Sequence, residues 1–225
     1  MEISIIITNY NYGDYIERCI RSCISQKMTA GKGFEVIVVD DNSTDHSRKI
    51  LENYSDDIKC ILLDKNKGVA VAANEGIQHA KGRFIVRVDS DDYINENMIM
   101  IQSLFLNTRS EYLGVSVDYL EVDKDGDRKL GYFSALDEPV SCGIMYRKDL
   151  LIKEGLYNPE YRHREEKELR YRLQDKYTIG NIPIPLYRYR KHGENKTEDR
   201  MELDQVDKSL DIKYNRKKWI VISRY

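Results

Sequence analysis

The chain has little that would tie it to a membrane, to nucleic acid or to an oxidising compartment. Its longest apolar runs, such as "IIIT" and "VIVV", have the length of a strand and fall far short of a bilayer span. The first residues, "MEISIIITNY", lack the basic stretch and small-residue cleavage site of a secretory leader, so a cytoplasmic location is expected. Neither sign of charge dominates: 36 Lys and Arg stand against 38 Asp and Glu, giving a formal net charge of −2. That balance argues against global attraction to nucleic acid, and none is expected as a partner. Four cysteines in 225 residues are too few and too unevenly placed for a disulfide framework. Cys19 and Cys23 fall on a helical stripe with Ile16, Ile20 and Ile24 and read as core thiols. Cys60 and Cys142 stand alone, so no zinc-ligand pair completes a site. The first strand–helix turn, "TNYNYGDY", holds one glycine and no G-x-G-x-x-G, which excludes the dinucleotide fingerprint. It also holds no acidic pair, as an aspartyl phosphatase would require. Internal repeats and low-complexity tracts are absent.

What is present is alternation. Apolar strands are expected at 2–8, 34–39, 58–63 and 83–88, and helices at 13–26, after "NST" at 42–44, at 69–80 and at 95–107. Strands this apolar, separated by helices, indicate a mostly parallel sheet covered on both faces. After about residue 110 the pattern changes. A hairpin is expected around Asp125–Gly126. The "DKDGDRKLG" there resembles a calcium loop only superficially, because its glycine is misplaced and the closing Glu is missing. Further elements are a strand over 140–147, an amphipathic helix over 165–175 and an extended segment from 185 to 197. The final "KYNRKKWIVISRY" carries five basic residues and no acidic one.

Ligands of open parallel sheets bind beyond the carboxyl ends of the strands. Those ends read Thr8-Asn9-Tyr10-Asn11, Asp40-Asp41-Asn42-Ser43 and Asp89-Ser90-Asp91-Asp92. Three carboxylates in four positions repel one another unless something compensates them. A hard divalent cation, Mg²⁺ or Mn²⁺, would do so. Helix capping is the alternative, but it uses one carboxylate and not three. For Asp40 and Asp41, and for Thr8 and Asn9, capping and turn formation compete with a nucleotide-binding role.

The segments "ISIIITNYNYGDYIERCIRSCISQ", "FEVIVVDDNSTD", "NKGVAVAANEGIQHAKGRFIVRVDSDD" and "SCGIMYRKDLL" resemble, in order and spacing, family 2 glycosyltransferases of the GT-A fold, of the kind that build bacterial polysaccharides. The resemblance covers about residues 1–195. It implies an α/β GT-A fold: a mostly parallel, Rossmann-like central sheet flanked by helices, with a smaller mixed C-terminal part. Residues 1–110 would bind the nucleotide sugar, 111–197 the acceptor, and 198–225 would form an extension.

By the same resemblance Asp89-Ser90-Asp91 is the DXD motif, with Asp91 on the metal and Asp89 on ribose or metal. Thr8, Asn9, Tyr10 and Ser90 would line the nucleotide site, Asp40 would contact the base, and Gly68 would lie in the loop beside it. Glu166, with Glu165 as runner-up, occupies the place of the family's Glu-Asp pair and is the expected general base of an inverting transfer. An ordinary solvated helix start is the alternative for this pair. His192 would complete the metal shell or bind diphosphate, or else lie on the surface. Ala73 stands where many members carry Arg, so Lys67 or Arg87 would have to substitute.

The expected activity is transfer of a sugar from a nucleotide-diphospho-sugar to a hydroxyl of a glycan or lipid-linked saccharide. The alternative is a GT-A-like module that binds nucleotide or partner without turnover. For the tail, Val206, Leu210, Tyr214 and Val221 mark a helix that packs on the core or on a second copy of the chain. The rival reading has its basic residues and Trp219 touch an anionic membrane surface.

Overall fold

A computed structural model describes residues 1–137, 140, 142–193 and 200–215. β1 (Ile3–Asn9), β2 (Phe34–Asp40), β3 (Lys59–Leu62) and β4 (Phe84–Asp89) form a parallel block in the order β3-β2-β1-β4. The helices α1 (Gly13–Ile24), α2 (Ser47–Glu52) and α3 (Val69–His79) connect them, and α4 (Met98–Thr108) follows β4. Side chains of β1 go alternately to two cores. Ile3, Ile5 and Ile7 join Cys19, Cys23 and Met98 on one face, while Ile6 joins Ala70, Ala73 and Ile77 on the other. Both faces are therefore apolar, which is why these strands read as unbroken hydrophobic runs. The small residues of α3 let it approach closely: a Cβ at Gly76 would sit 2.5 Å from Ile6 Cγ2.

The second half extends the same sheet. β6 (Tyr112–Val122) and β7 (Lys129–Phe133) form the expected hairpin, with Gly126 at φ +77° in the turn. Asp123 accepts the N–H groups of Asp127 and Arg128, so the segment is a self-capped turn. β8 (Met145–Arg147) is antiparallel to both β4 and β6 and joins the two halves. It is shorter than the run 140–147 suggests. β9 (Thr178–Arg190) pairs parallel to β6 and begins earlier than expected. Its register slips between Val117 and Asp118, opposite the stretch with Pro183 and Pro185, which cannot donate to the ladder. Two short elements carry no sequence signal of their own: β5 (Tyr93–Ile94), paired with β9, and α5 (Lys148–Lys153).

Two helices complete the chain, α6 (Glu165–Leu173) and α7 (Arg200–Lys213). α7 lies against α6: Leu210 is fully buried, Lys167 Nζ bridges Asp207 and Asp211 at 3.0 and 3.2 Å, and the Tyr214 hydroxyl donates to Glu168 at 2.6 Å. The packing expectation for Leu210 and Tyr214 is met within the chain. Trp219, Val221 and most of the basic residues proposed to touch a membrane lie outside the described residues. No helix among the described residues is long and apolar enough to cross a membrane.

Candidate active site

Register brings the polar strand ends together. Asn9 pairs with Asp40 across β1 and β2, and Thr8 pairs with Asp89 across β1 and β4. Thr8, Asn9 and Asp89 border a cleft of about 330 Å³ at the carboxyl edge of the sheet. Thr8, Asn9, Tyr10 and Tyr12 line it from the β1–α1 turn, and Arg87, Asp89, Ser90 and Asp91 from β4 and the turn after it. Arg162, His163, Arg164 and Glu165 approach from the start of α6. Tyr119, Glu121, Tyr189 and Lys191 form the wall beyond, on β6, β9 and the residue that follows.

Each of the three clustered carboxylates has its own compensation. Asp89 Oδ1 lies 3.3 Å from Arg87 Nε, and its Oδ2 accepts the Cys142 thiol at 3.1 Å. Asp91 Oδ2 is 3.0 Å from His192 Nε2. His192 is buried and stacks on Tyr15 at 4.6 Å between centroids, so it is not a surface histidine. Asp92 points into the protein, where it accepts the Tyr187 hydroxyl at 2.7 Å and the Arg190 N–H at 2.8 Å. Burial, and then Asp91 and Asp89, push the Asp92 carboxyl well above the usual range.

Two further nucleotide-site expectations fall elsewhere. Asp40 is fully buried beneath the cleft, ion-paired to Arg48 Nε at 2.8 Å and bonded to Asn9 and Ser43. Its neighbour Asp41 lines the cleft instead and accepts the N–H groups of Lys67 and Gly68 at 2.7 and 2.8 Å. The period-2 alternation of a strand allows only one of two adjacent carboxylates to face the ligand. Gly68, at φ +89°, therefore shapes the loop through Asp41 and does not itself line the cleft.

The glutamate pair divides in the same way. Glu165 lines the cleft and accepts Arg87 Nη1 at 2.7 Å. Glu166 lies on the other side of α6, 1% exposed, and accepts the Tyr146 hydroxyl. Burial raises its pKa, opposed by Arg170, Arg87 and hydrogen bonds from the two tyrosines Tyr146 and Tyr157. Consecutive helical residues diverge by about 100°, so one acid faces the cleft and the other the core. Sequence reading favoured Glu166, whereas the geometry puts Glu165 at the cleft. Arg162 and Arg164 were not singled out from sequence; their charge is ordinary for a loop, and only the fold brings them here.

Asp91 and His192, 3.0 Å apart, offer a carboxylate oxygen and an imidazole nitrogen, and the carboxylate is a donor that suits Mg²⁺ or Mn²⁺. Among the described residues, the one group of three whose ligand atoms lie within 4.8 Å of one another is Asp89, Asp92 and Cys142. That group is the poorer candidate. Burial pushes the Cys142 thiol well up, so it stays protonated and donates to Asp89, while Asp92 is already taken by Tyr187 and Arg190.

A curled, mixed sheet with a polar cleft at the carboxyl ends of β1, β2 and β4 is the GT-A architecture. S. aureus TarS 1–349 in complex with UDP-GlcNAc superposes with a TM-score of 0.78 at 24% identity, over 94% of this chain and 66% of that one. The mannosyltransferase PcManGT from Pyrobaculum calidifontis, in complex with GDP-Man and Mn²⁺, does so at 0.75 and 18%, over 97% and 65%. The family model of glycosyl transferase family 2 matches residues 4–129, and the chain belongs to that family. Similar relatives include the putative teichuronic acid biosynthesis glycosyltransferase TuaG of Bacillus subtilis, 37% identical over 48% of this chain and 43% of its own length. Another is the Escherichia coli UDP-Glc:alpha-D-GlcNAc-diphosphoundecaprenol beta-1,3-glucosyltransferase WfaP, 38% identical over 54% of this chain and 47% of its own. The chain thus spans about half the length of these curated relatives.

Proposed function

We propose that the chain transfers a glycosyl group from a nucleoside-diphospho-sugar to a saccharide hydroxyl, with inversion at the anomeric carbon. The observation that carries this reading is one cleft lined by both Asp91, which His192 backs at 3.0 Å, and Glu165. Residues 1–110 hold the donor: Thr8, Asn9, Tyr10 and Asp41 face the nucleoside, and Asp89 and Ser90 face its ribose and diphosphate. Asp91 and His192 would hold Mn²⁺ or Mg²⁺, whose chemistry there is to neutralise charge on the departing diphosphate. Arg162 and Arg164 add positive charge at the rim. Glu165 takes the proton of the acceptor hydroxyl as that oxygen bonds to the anomeric carbon and the carbon–phosphate oxygen bond breaks.

Residues 111–197 receive the acceptor. Tyr119 is backed by Phe133, stacked at 5.3 Å and 14°, and with Tyr189 it offers ring faces to a pyranose, while Glu121 and Lys191 offer hydrogen bonds to its hydroxyls. That WfaP is named for a diphosphoundecaprenol-linked acceptor supports a lipid-linked saccharide, and with it work at the cytoplasmic face of a membrane.

The test is hydrolysis and transfer with UDP-glucose, UDP-N-acetylglucosamine and GDP-mannose, each with Mn²⁺ or Mg²⁺. Metal-dependent turnover lost in Asp91→Ala is expected. Binding without turnover would convert the reading to a non-catalytic module, and no binding of any sugar nucleotide would remove it.

A further inference from the structure

We infer that Arg87 is a positioning residue that couples the donor end of the cleft to its acceptor end by sharing one guanidinium between Asp89 and Glu165. The inference rests on the glycosyl-transfer reading of the cleft. Arg87 is 5% exposed, and its backbone is pinned by the Gly143 N–H at 2.9 Å. Its Nη1 donates to Glu165 at 2.7 Å, a full hydrogen bond. Its Nε lies 3.3 Å from Asp89 Oδ1, within ion-pair range, yet neither buried atom makes a hydrogen bond. One contact is directional and firm, the other is charge alone.

Arg87 lines the cleft on one side and is closed in on the other. Behind it Ala73, Ile77, Tyr146 and Tyr157 border a void of only about 10 Å³, room for no more than one water. The Tyr157 ring lies 5.4 Å from Arg87 Cζ. Two carboxylates therefore share one cation that has no room to retreat into the core. With a cation and diphosphate bound beside it, Asp89 would no longer need Arg87 for compensation, and Glu165 alone would hold the Arg87 charge. Glu165 would then have the whole of the Arg87 charge in place of a shared one. Linkage is reciprocal: Glu165, by holding Arg87, keeps a competing positive charge off Asp89 and favours cation binding there.

The coupling is read by a double-mutant cycle on binding, without turnover. Mn²⁺ and UDP affinities are measured by titration calorimetry for the full chain, Glu165→Gln, Arg87→Gln and the double variant, with folding checked by circular dichroism. Glu165→Gln is expected to weaken Mn²⁺ binding in the presence of UDP by about fivefold or more, the lower end of measured site–site couplings. In the Arg87→Gln background the same substitution is expected to change it by less than about twofold. Should Arg87→Gln fail to fold, Arg87→Lys replaces it: a single ammonium cannot span both carboxylates, and the coupling should fall likewise. An equal effect of Glu165→Gln with and without Arg87 overturns the inference while leaving the glycosyl-transfer reading intact. Failure of the unaltered chain to bind Mn²⁺ and UDP at all overturns both.

Discussion

At the scale of single residues, the site is built from adjacent pairs that the backbone splits. Asp40 and Asp41, Glu165 and Glu166, Asp91 and Asp92 each put one carboxylate in the cleft and one in the protein. The buried member supports its surroundings: Asp40 through Arg48, Glu166 through Tyr146, Asp92 through Tyr187. The two glutamates should then behave differently. Glu165→Gln is expected to lower kcat by about 10²–10⁴-fold, the usual cost of a general base. Glu166→Gln, which can still accept from Tyr146, should cost less than tenfold; the reverse order in steady-state transfer kinetics would reassign the base. Cys60 is the exposed cysteine, and burial of its sulfur followed by the nearby Asp40 charge raises its pKa to about 11. Its thiolate is therefore favoured only as pH rises toward that value. Iodoacetamide labelling of Cys60 at pH 8 should be slower than that of glutathione and should accelerate up to pH 11; labelling as fast as glutathione at pH 8 would contradict this.

At the scale of elements, the cleft depends on how α6 is held. Its N-terminal residue is Glu165, and it is tied to α7, whose Leu210 is fully buried, through the Lys167 bridges and the Tyr171–Asp211 and Tyr214–Glu168 hydrogen bonds. Leu210→Ala should cost about 2–4 kcal/mol in urea unfolding, as for other fully buried leucines. Because α6 also positions Glu165, the proposed base, transfer should fall with it, while UDP affinity, proposed to rest on β1, β2 and β4, should stay within about twofold. Loss of UDP affinity to the same degree would show that α7 also supports the donor half. The elements that escaped sequence reading are short. β5 has two residues and α5 has six, so neither contains enough of a period to be recognised.

At the scale of the molecule, donor and metal should stabilise the fold by mass action. With ligand at a hundredfold excess over Kd the gain is about 2.7 kcal/mol. For a chain of this size each kcal/mol raises Tm by roughly 2–4 °C. Mn²⁺ with UDP is therefore expected to raise Tm by about 5 °C or more in a thermal melt. Asp91→Ala should remove the Mn²⁺-dependent part, and an equal shift in Asp91→Ala would place the cation elsewhere.

The stretch 85–92, "IVRVDSDD", shows where sequence stopped and tertiary structure took over. The apolar alternation of strands and helices determined the parallel block, because burial on both faces leaves an unbroken hydrophobic run. It also determined that Thr8, Asn9 and Asp89 meet at one edge, since parallel strands in register end together. Only the tertiary structure decided which of two neighbouring acids faces the ligand, because a side chain's direction depends on where its strand or helix ends and what packs behind it. Only the fold brought Arg87 of β4 to Glu165 of α6, across 78 positions of sequence. Pairing at that separation leaves no local pattern, and it is set by the path of the chain between the two residues.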